Sequence, residues 1–119
     1  ITWSREVNFS LEAAAKLAQE GIEAEVLDLR TLVPLDWDAI VKTVSKTHNA
    51  IIVSEEVKRG SFAGELSAEI SEELFDELDA PVERVCGLNI CSPFSPVLED
   101  ENFPHPADIV AAVKRVLNK

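Results

Sequence analysis

Two adjacent carboxylates, Glu55 and Glu56, are the residues of this chain whose type and position most directly suggest chemistry. They follow the apolar run at residues 50–53, which predicts a central buried strand. Ligands of open α/β sheets bind at the carboxyl ends of strands, so one of the two could face an active site or a subunit interface. No nucleophile or base stands beside them in the sequence. We therefore favour a simpler interpretation, in which one carboxylate accepts backbone hydrogen bonds and the other is solvated.

Two glycines, Gly60 and Gly64, surround the predicted start of a helix, whose free N–H groups could hold an anion. The segment has no P-loop lysine and does not fit the GxGxxG pattern of dinucleotide sites. Two acidic residues just upstream would also oppose a phosphate. We interpret the segment as a turn that lets a helix and a strand pack closely.

Isolated arginines and histidines complete the set of candidate functional groups. Arg30 ends the second predicted strand, and we interpret it as a structural clamp on the turn that reaches Pro34. Arg84 lies within a predicted strand and needs a partner, either close to it in the chain or on a second subunit. His48 and His105 have no carboxylate or cysteine at a useful spacing, which predicts surface or loop positions.

The composition predicts one globular domain and argues against two classes of partner. The chain has 119 residues, 46% hydrophobic and 28% charged, which is enough for a core without disulfides. Its formal charge of −11 disfavours nucleic acid, since phosphate recognition needs clustered Lys and Arg. No apolar run approaches the roughly 20 residues of a membrane span, so we expect no membrane partner. Cys86 and Cys91 form no CxxC motif, which favours a reducing compartment.

Strand and helix patterns alternate four times along the chain. This alternation predicts an α/β fold with a mainly parallel sheet and helices on both of its faces. We expect strands at residues 1–3, 22–29, 50–53 and 81–86, the second of them covered on both faces. Residues 87–104 form a long proline-rich segment with little periodicity.

Four helices are expected between and after these strands. Ser4 is the predicted N-cap of the first helix, and Gly21 is its left-handed end. Asp36 caps the second helix, the third follows Gly60, and Pro106 fits the first turn of the last. The residues predicted to face inward are, helix by helix, Val7, Leu11, Ala14, Ala15 and Ala18; Trp37, Ile40, Val41 and Val44; Phe62, Leu66, Ile70 and Leu74; and Ile109, Val110, Val113, Val116 and Leu117.

Several segments distributed over the whole chain resemble those of one family. The most informative is GIEAEVLDLRTLVPLD at residues 21–36, followed in specificity by LDAPVERV at residues 78–85. Further matching segments are Lys46-Thr47, VSEE at residues 53–56, GSFAGE at residues 60–65, Pro93-Phe94, Leu98-Glu99 and Pro104. Together these segments resemble the C-terminal domain of the beta subunit of thiamine-dependent 2-oxo acid dehydrogenases, of the pyruvate or branched-chain type.

The resemblance implies a transketolase C-terminal-domain-like fold, a three-layer α/β/α sandwich with a mainly parallel sheet of four to five strands. In this family one edge strand is antiparallel, and it should precede Ile1. We therefore expect residues 1–119 to be a single C-terminal domain, a fragment of a longer beta subunit without its thiamine-binding domain. The implied parent is an oxidoreductase that decarboxylates a pyruvate-type or branched-chain 2-oxo acid and passes the acyl group to lipoamide.

The cofactors of the implied parent have no recognisable signature in this chain. The GDG…Asn pattern of thiamine diphosphate and magnesium sites is missing. We therefore expect no catalytic, cofactor-binding or metal-binding residue within residues 1–119. Thiamine diphosphate and magnesium belong to the parent enzyme, and the isolated domain should be inactive.

The resemblance also implies protein partners, namely an alpha subunit and a second beta subunit in the heterotetramer of a multienzyme complex. A further implied partner is the subunit-binding domain of the acyltransferase core, which is often basic and suits an acidic chain. The loop at residues 93–100 is a candidate contact between beta subunits. The docking candidates are Asp79, Glu83 and Lys119, and the interface candidates are Glu55, Glu56, Arg84, Pro93, Phe94 and Glu99.

Two alternatives stay open at the level of sequence. The chain could be the equivalent domain of a transketolase-like synthase, or a free-standing, non-catalytic interaction domain. The implied parent would work in a bacterial cytoplasm or a mitochondrial matrix.

Overall fold

The computed structural model describes residues 1–118 and arranges them as helices around a small parallel sheet. The two strands are β1 and β2, and a single 3₁₀ turn follows the third helix. The elements are α1 (Glu6–Gln19), α2 (Trp37–Thr47), β1 (Ile51–Val57), α3 (Phe62–Glu73), the 3₁₀ turn (Phe75–Glu77), β2 (Glu83–Gly87), α4 (Pro96–Asn102) and α5 (Pro106–Val116).

The sheet is parallel, as predicted, but within residues 1–118 it has two strands and two single bridges instead of the four to five strands expected. β1 pairs with β2 in a register that sets Val53 opposite Val85. On the other side of β1, Thr2 bridges Val53, and it also bridges Asp28, both in parallel orientation. The order across the sheet is therefore the segment around Asp28, then Thr2, β1 and β2.

Two layers of helices cover the sheet, which confirms the predicted α/β/α sandwich. On one face, α2 and α3 pack Ile40, Val44, Leu66 and Ile70 against Ile52 of β1. On the other face, the core cluster combines α1 and α5 with both strands. Its buried members are Ala13, Val53, Val85, Ile109 and Ala112. Residues that alternate along β1 thus serve different layers.

The buried face of α1 differs from the predicted stripe. The fully or nearly fully buried residues are Glu6, Ser10, Ala13 and Leu17, whereas Leu11 is 52% exposed. The prediction was wrong by about one helical position, because two polar residues belong to the true inner face. Ser4 was also wrong as the N-cap: Arg5 holds that position, without a side-chain cap.

The predicted strand at residues 22–29 is present only as one bridge. The Thr2 N–H donates to the Leu27 carbonyl at 2.9 Å, and the Leu29 N–H donates back to Thr2 at 3.0 Å. Glu23 and Glu25 are exposed, so the expected cover on both faces was wrong. The partner segment offers only a few residues before α1 begins, and pairing stops there.

The helix boundaries that depend on local chemistry were predicted well. Gly21 ends α1 with a φ of +78°, and the Ile22 N–H donates to the Leu17 carbonyl at 3.0 Å. Asp36 Oδ1 accepts from the Ala39 N–H at 3.0 Å and so caps α2. By contrast, α4 lies inside the segment without periodicity. It is only seven residues long, with Pro96 at its start.

Candidate subunit interface

Several large apolar side chains follow β2 and are exposed to solvent. Leu88, Ile90, Phe94, Val97 and Leu98 are between 48% and 103% exposed, with Phe94 at the upper end. We call residues 88–98 the apolar segment. Single exposed apolar residues are ordinary on protein surfaces, but five within eleven residues of the chain indicate a site of interaction.

Gly87 determines how the apolar segment leaves the sheet. A Cβ atom at this position would lie 2.9 Å from the Glu55 carbonyl oxygen and 3.3 Å from that of Asn102. Only glycine therefore fits between the end of β1 and the end of α4 without a shift of backbone. One residue later, the Leu88 N–H donates to the Asn102 carbonyl at 3.2 Å, so the segment starts from a fixed point.

The neighbouring loop between β1 and α3 is fastened to β2 and to the apolar segment. Arg84 Nη1 donates to the Lys58 carbonyl at 2.8 Å, and the Arg59 N–H donates to Asn89 Oδ1 at 2.9 Å. A Cβ atom on Gly64 would lie 3.3 Å from Arg84 Nη1. This glycine permits close packing, as predicted, and Arg84 finds its partner within the chain.

Glu55 and Glu56 point into different environments at the end of β1. Glu56 Oε2 accepts from the Ser54 hydroxyl at 3.2 Å and from the Ala63 N–H at the start of α3 at 3.4 Å. This agrees with the simpler interpretation of the pair. Glu55 is half-buried rather than solvated, and its charge acts on Glu6 of α1.

Glu6 is a fully buried carboxylate, and neither of its oxygens has a hydrogen-bond partner among the described residues. Burial raises the pKa of Glu6 to about 7, with Arg5 and His105 lowering it and the Glu55 charge raising it further. Glu6 was not predicted from the sequence, because the predicted inner face of α1 was displaced by one position. The spacing of Glu6, Ser10 and Leu17 is the signal that could have found it.

Arg5 links the start of α1 to the region around α4. Its guanidinium lies over the rings of Phe9 and Phe103, at 5.3 and 5.0 Å from their centres. Arg5 Nη2 is 3.7 Å from Asp100 Oδ1. His105, at the start of α5, places Nε2 2.9 Å from the Asp100 carbonyl oxygen. Asp100 of α4 is thus in contact with both neighbouring helices.

The docking candidates are not brought together. Asp79 is exposed, and its N–H donates to the His48 carbonyl at 2.8 Å. The Glu83 carboxylate is already engaged by Arg115 of α5, with Nε 3.0 Å from Oε1. Lys119 lies outside the described residues. Arg30 pairs with Asp28 at 2.8 Å instead of clamping its turn.

The interface candidates are spread over two neighbouring regions. Pro93 and Phe94 belong to the apolar segment and Glu99 to the exposed part of α4. Glu55 and Glu56 lie in the second half of β1, and Arg84 lies in β2, the strand after which that segment starts.

The described residues provide no obvious reactive centre. No group of three or more His, Cys, Asp or Glu within residues 1–118 could hold a metal ion. Burial raises the pKa of the half-buried Cys86 thiol, which makes it a weaker nucleophile at neutral pH. In the same part of the chain, the helices are too short or too polar to span a bilayer.

Comparison with known proteins assigns this arrangement to a family. A family profile described as "Transketolase, C-terminal domain" matches residues 1–109. The chain belongs to the transketolase C-terminal domain family. Among solved structures, a chain of "Split gene transketolase, inactive beta4 tetramer" matches with a TM-score of 0.77 and 28% identity. That match covers 98% of this chain and 37% of the other. The predicted family and fold class are confirmed.

Three similar curated proteins are beta subunits of oxidoreductases. The acetoin:2,6-dichlorophenolindophenol oxidoreductase subunit beta of Bacillus subtilis (strain 168) is 46% identical over 97% of this chain and 34% of its own length. The mitochondrial pyruvate dehydrogenase E1 component subunit beta of Saccharomyces cerevisiae (strain ATCC 204508 / S288c) is 45% identical over 99% of this chain and 33% of its own length. The 2-oxoisovalerate dehydrogenase subunit beta of Bacillus subtilis (strain 168) is 40% identical over 98% of this chain and 36% of its own length. The chain spans about a third of these relatives.

Proposed function

We propose that this chain is the assembly domain of a thiamine-dependent oxidoreductase beta subunit and carries no catalytic residue itself. The beta subunits named for pyruvate and 2-oxoisovalerate dehydrogenases support a parent that decarboxylates a 2-oxo acid and transfers the acyl group to lipoamide. They are 40% to 45% identical to the chain, against 28% for the solved transketolase. We therefore prefer a dehydrogenase parent to a transketolase-like synthase.

Acetoin is a second candidate substrate of the parent. Two relatives, 46% and 43% identical, are named for acetoin oxidation. The substrate pocket is expected outside this chain, together with thiamine diphosphate and magnesium. Within residues 1–118, no group of three or more His, Cys, Asp or Glu is available to the metal ion of that cofactor.

The apolar segment is the observation that carries the proposal. Its five exposed apolar side chains would lose contact with water on binding a second beta subunit or the alpha subunit. The printed description of the solved relative names a tetramer of beta subunits, which shows that association among beta subunits occurs in that protein. We assign residues 93–100 to the contact between beta subunits.

The test is co-expression of the complete polypeptide that carries this chain with its alpha subunit, followed by sedimentation velocity. The Phe94→Asp variant places a charge at the centre of the proposed contact and should weaken assembly about tenfold or more. Phe75→Asp is the matched control, because Phe75 is 73% exposed on the 3₁₀ turn outside the apolar segment. Equal assembly of the Phe94→Asp variant and the wild type would refute the proposal.

A further inference from the structure

The surroundings of Glu6 combine several charged groups from different elements. Arg5 precedes it at the start of α1, and the charges of Glu55 on β1 and of His105 at the start of α5 also act on it. These are the charged and titratable groups that act on Glu6. Neither carboxylate oxygen accepts a hydrogen bond in the described part of the chain.

An ionised carboxylate is unstable in such a position unless it gains a partner or water. Arg5 is the cation nearest in sequence, and its present contact with Asp100 is long, at 3.7 Å, and partly exposed. An exposed pair of this kind contributes little to stability. Arg5 is therefore held near α4 mainly by the rings of Phe9 and Phe103 and is available to a stronger acceptor.

α4 is the element that depends on these contacts. Asn102 is its only buried residue, and the Asn102 Oδ1 atom has no hydrogen-bond partner among the described residues. The remaining links of α4 run through Asp100 to Arg5 and His105, and through the Asn102 carbonyl to Leu88. Departure of Arg5 would remove both the Asp100 contact and the cation–π contact with Phe103, the residue that ends α4, and so loosen this helix.

We propose that Arg5 changes its partner from Asp100 to Glu6 when Glu6 loses its proton, and that this change releases α4 from α1. α4 carries Val97 and Leu98 of the apolar segment, so proton binding at Glu6 controls the order of that surface. The conformational step is independent of the proposed function. Only the effect of this step on subunit assembly rests on the proposed function, because the step would then regulate assembly.

The experiment is hydrogen–deuterium exchange with mass spectrometry on the purified chain from pH 6 to 8.5, corrected for the intrinsic pH dependence of amide exchange. In the wild type, exchange of residues 96–102 should increase by up to about tenfold over this range, the limit that proton release from a group of pKa about 7 sets between pH 6 and 8.5. No partner subunit is present, so failure here leaves the assembly test untouched.

Four variants separate this mechanism from its rivals. Glu6→Gln should give slow exchange at every pH, and Arg5→Gln should give fast exchange at every pH. Glu12→Gln, a change at an exposed residue of α1, should behave as the wild type. His105→Asn removes the imidazole that contacts Asp100 of α4 and should keep the pH response. A response that survives in Glu6→Gln, or that is missing in the wild type, would overturn the proposal.

If Glu6→Gln fails to fold, Glu6→Met provides a second neutral side chain of similar length. Its exchange profile should be as flat as that expected for Glu6→Gln. A pH-dependent profile in a folded Glu6→Met variant would count against the proposal in the same way.

Discussion

Nε of Arg115 on α5 donates a hydrogen bond to Oε1 of Glu83 at the start of β2, over 3.0 Å. The pair joins the last turn of a helix to the edge of the sheet. Because the carboxylate of Glu83 already has a cation, it has less to gain from a basic partner than Asp79, which forms no ion pair among residues 1–118. The two docking candidates are therefore expected to differ.

This difference predicts unequal effects on binding to the subunit-binding domain of the acyltransferase core. Asp79→Asn should weaken binding about three- to tenfold at low salt, whereas Glu83→Gln should change it less than about twofold. Isothermal titration at several salt concentrations measures both, and the wild-type affinity should fall as salt rises. The docking assignment fails if wild type and Asp79→Asn bind equally well at low salt.

Gly87 and Gly64 should respond differently to the same added methyl group. In Gly87→Ala the Cβ meets backbone oxygens at 2.9 and 3.2 Å, so we expect a loss of about 1–3 kcal/mol in the free energy of unfolding. In Gly64→Ala the neighbour is the tip of the Arg84 side chain, and the gain in helix propensity offsets the contact. Urea denaturation compares the two, and equal losses would contradict the described packing.

The orientation of α1 can be tested with two leucines of the same helix. Leu17 is 1% exposed, so Leu17→Ala should cost about 2–4 kcal/mol of unfolding free energy. Leu11 is 52% exposed, and Leu11→Ala should cost less than about 1 kcal/mol. Thermal and urea unfolding of both variants measure the difference. A larger loss of unfolding free energy in Leu11→Ala than in Leu17→Ala would instead support the inner face of α1 predicted from the sequence.

Stability should depend on pH through Glu6. The pKa of Glu6 is raised by burial from 4.5 to about 7, so the folded chain holds this proton more firmly than the unfolded chain does. Relative to Glu6→Gln, the wild type should therefore lose stability as pH rises from about 4.5 to 7, by up to about 3 kcal/mol. Urea unfolding of both proteins from pH 4 to 8 tests this, and a constant difference would contradict it.

The parts of the fold that the sequence predicted correctly are those set by local chemistry. The cap at Asp36, the left-handed end at Gly21 and the proline at the start of α5 each act within one turn of backbone. The two-sided covering of the sheet followed from the alternation of strands and helices. These features require no knowledge of distant contacts.

The parts that were missed depend on contacts between distant segments. Alanine tolerates both buried and exposed positions, so the alanines of α1 did not indicate which face of the helix is buried. The burial of Glu6 and Ser10 depends on the packing of α1 against β1 and α5. α4 is too short for a periodic pattern to be detected. The engagement of Glu83 by Arg115 joins residues 32 positions apart, which no local pattern indicates.

The hydrogen bond from the Leu88 N–H to the Asn102 carbonyl joins the two ends of the segment that connects β2 to α5. The largely exposed residues 90–98 can change in length or sequence while the two ends stay in place, since neither core cluster includes them. Related subunits can therefore exchange this part of the segment as a unit. Selection for new quaternary partners would then act on it with little effect on how the domain folds.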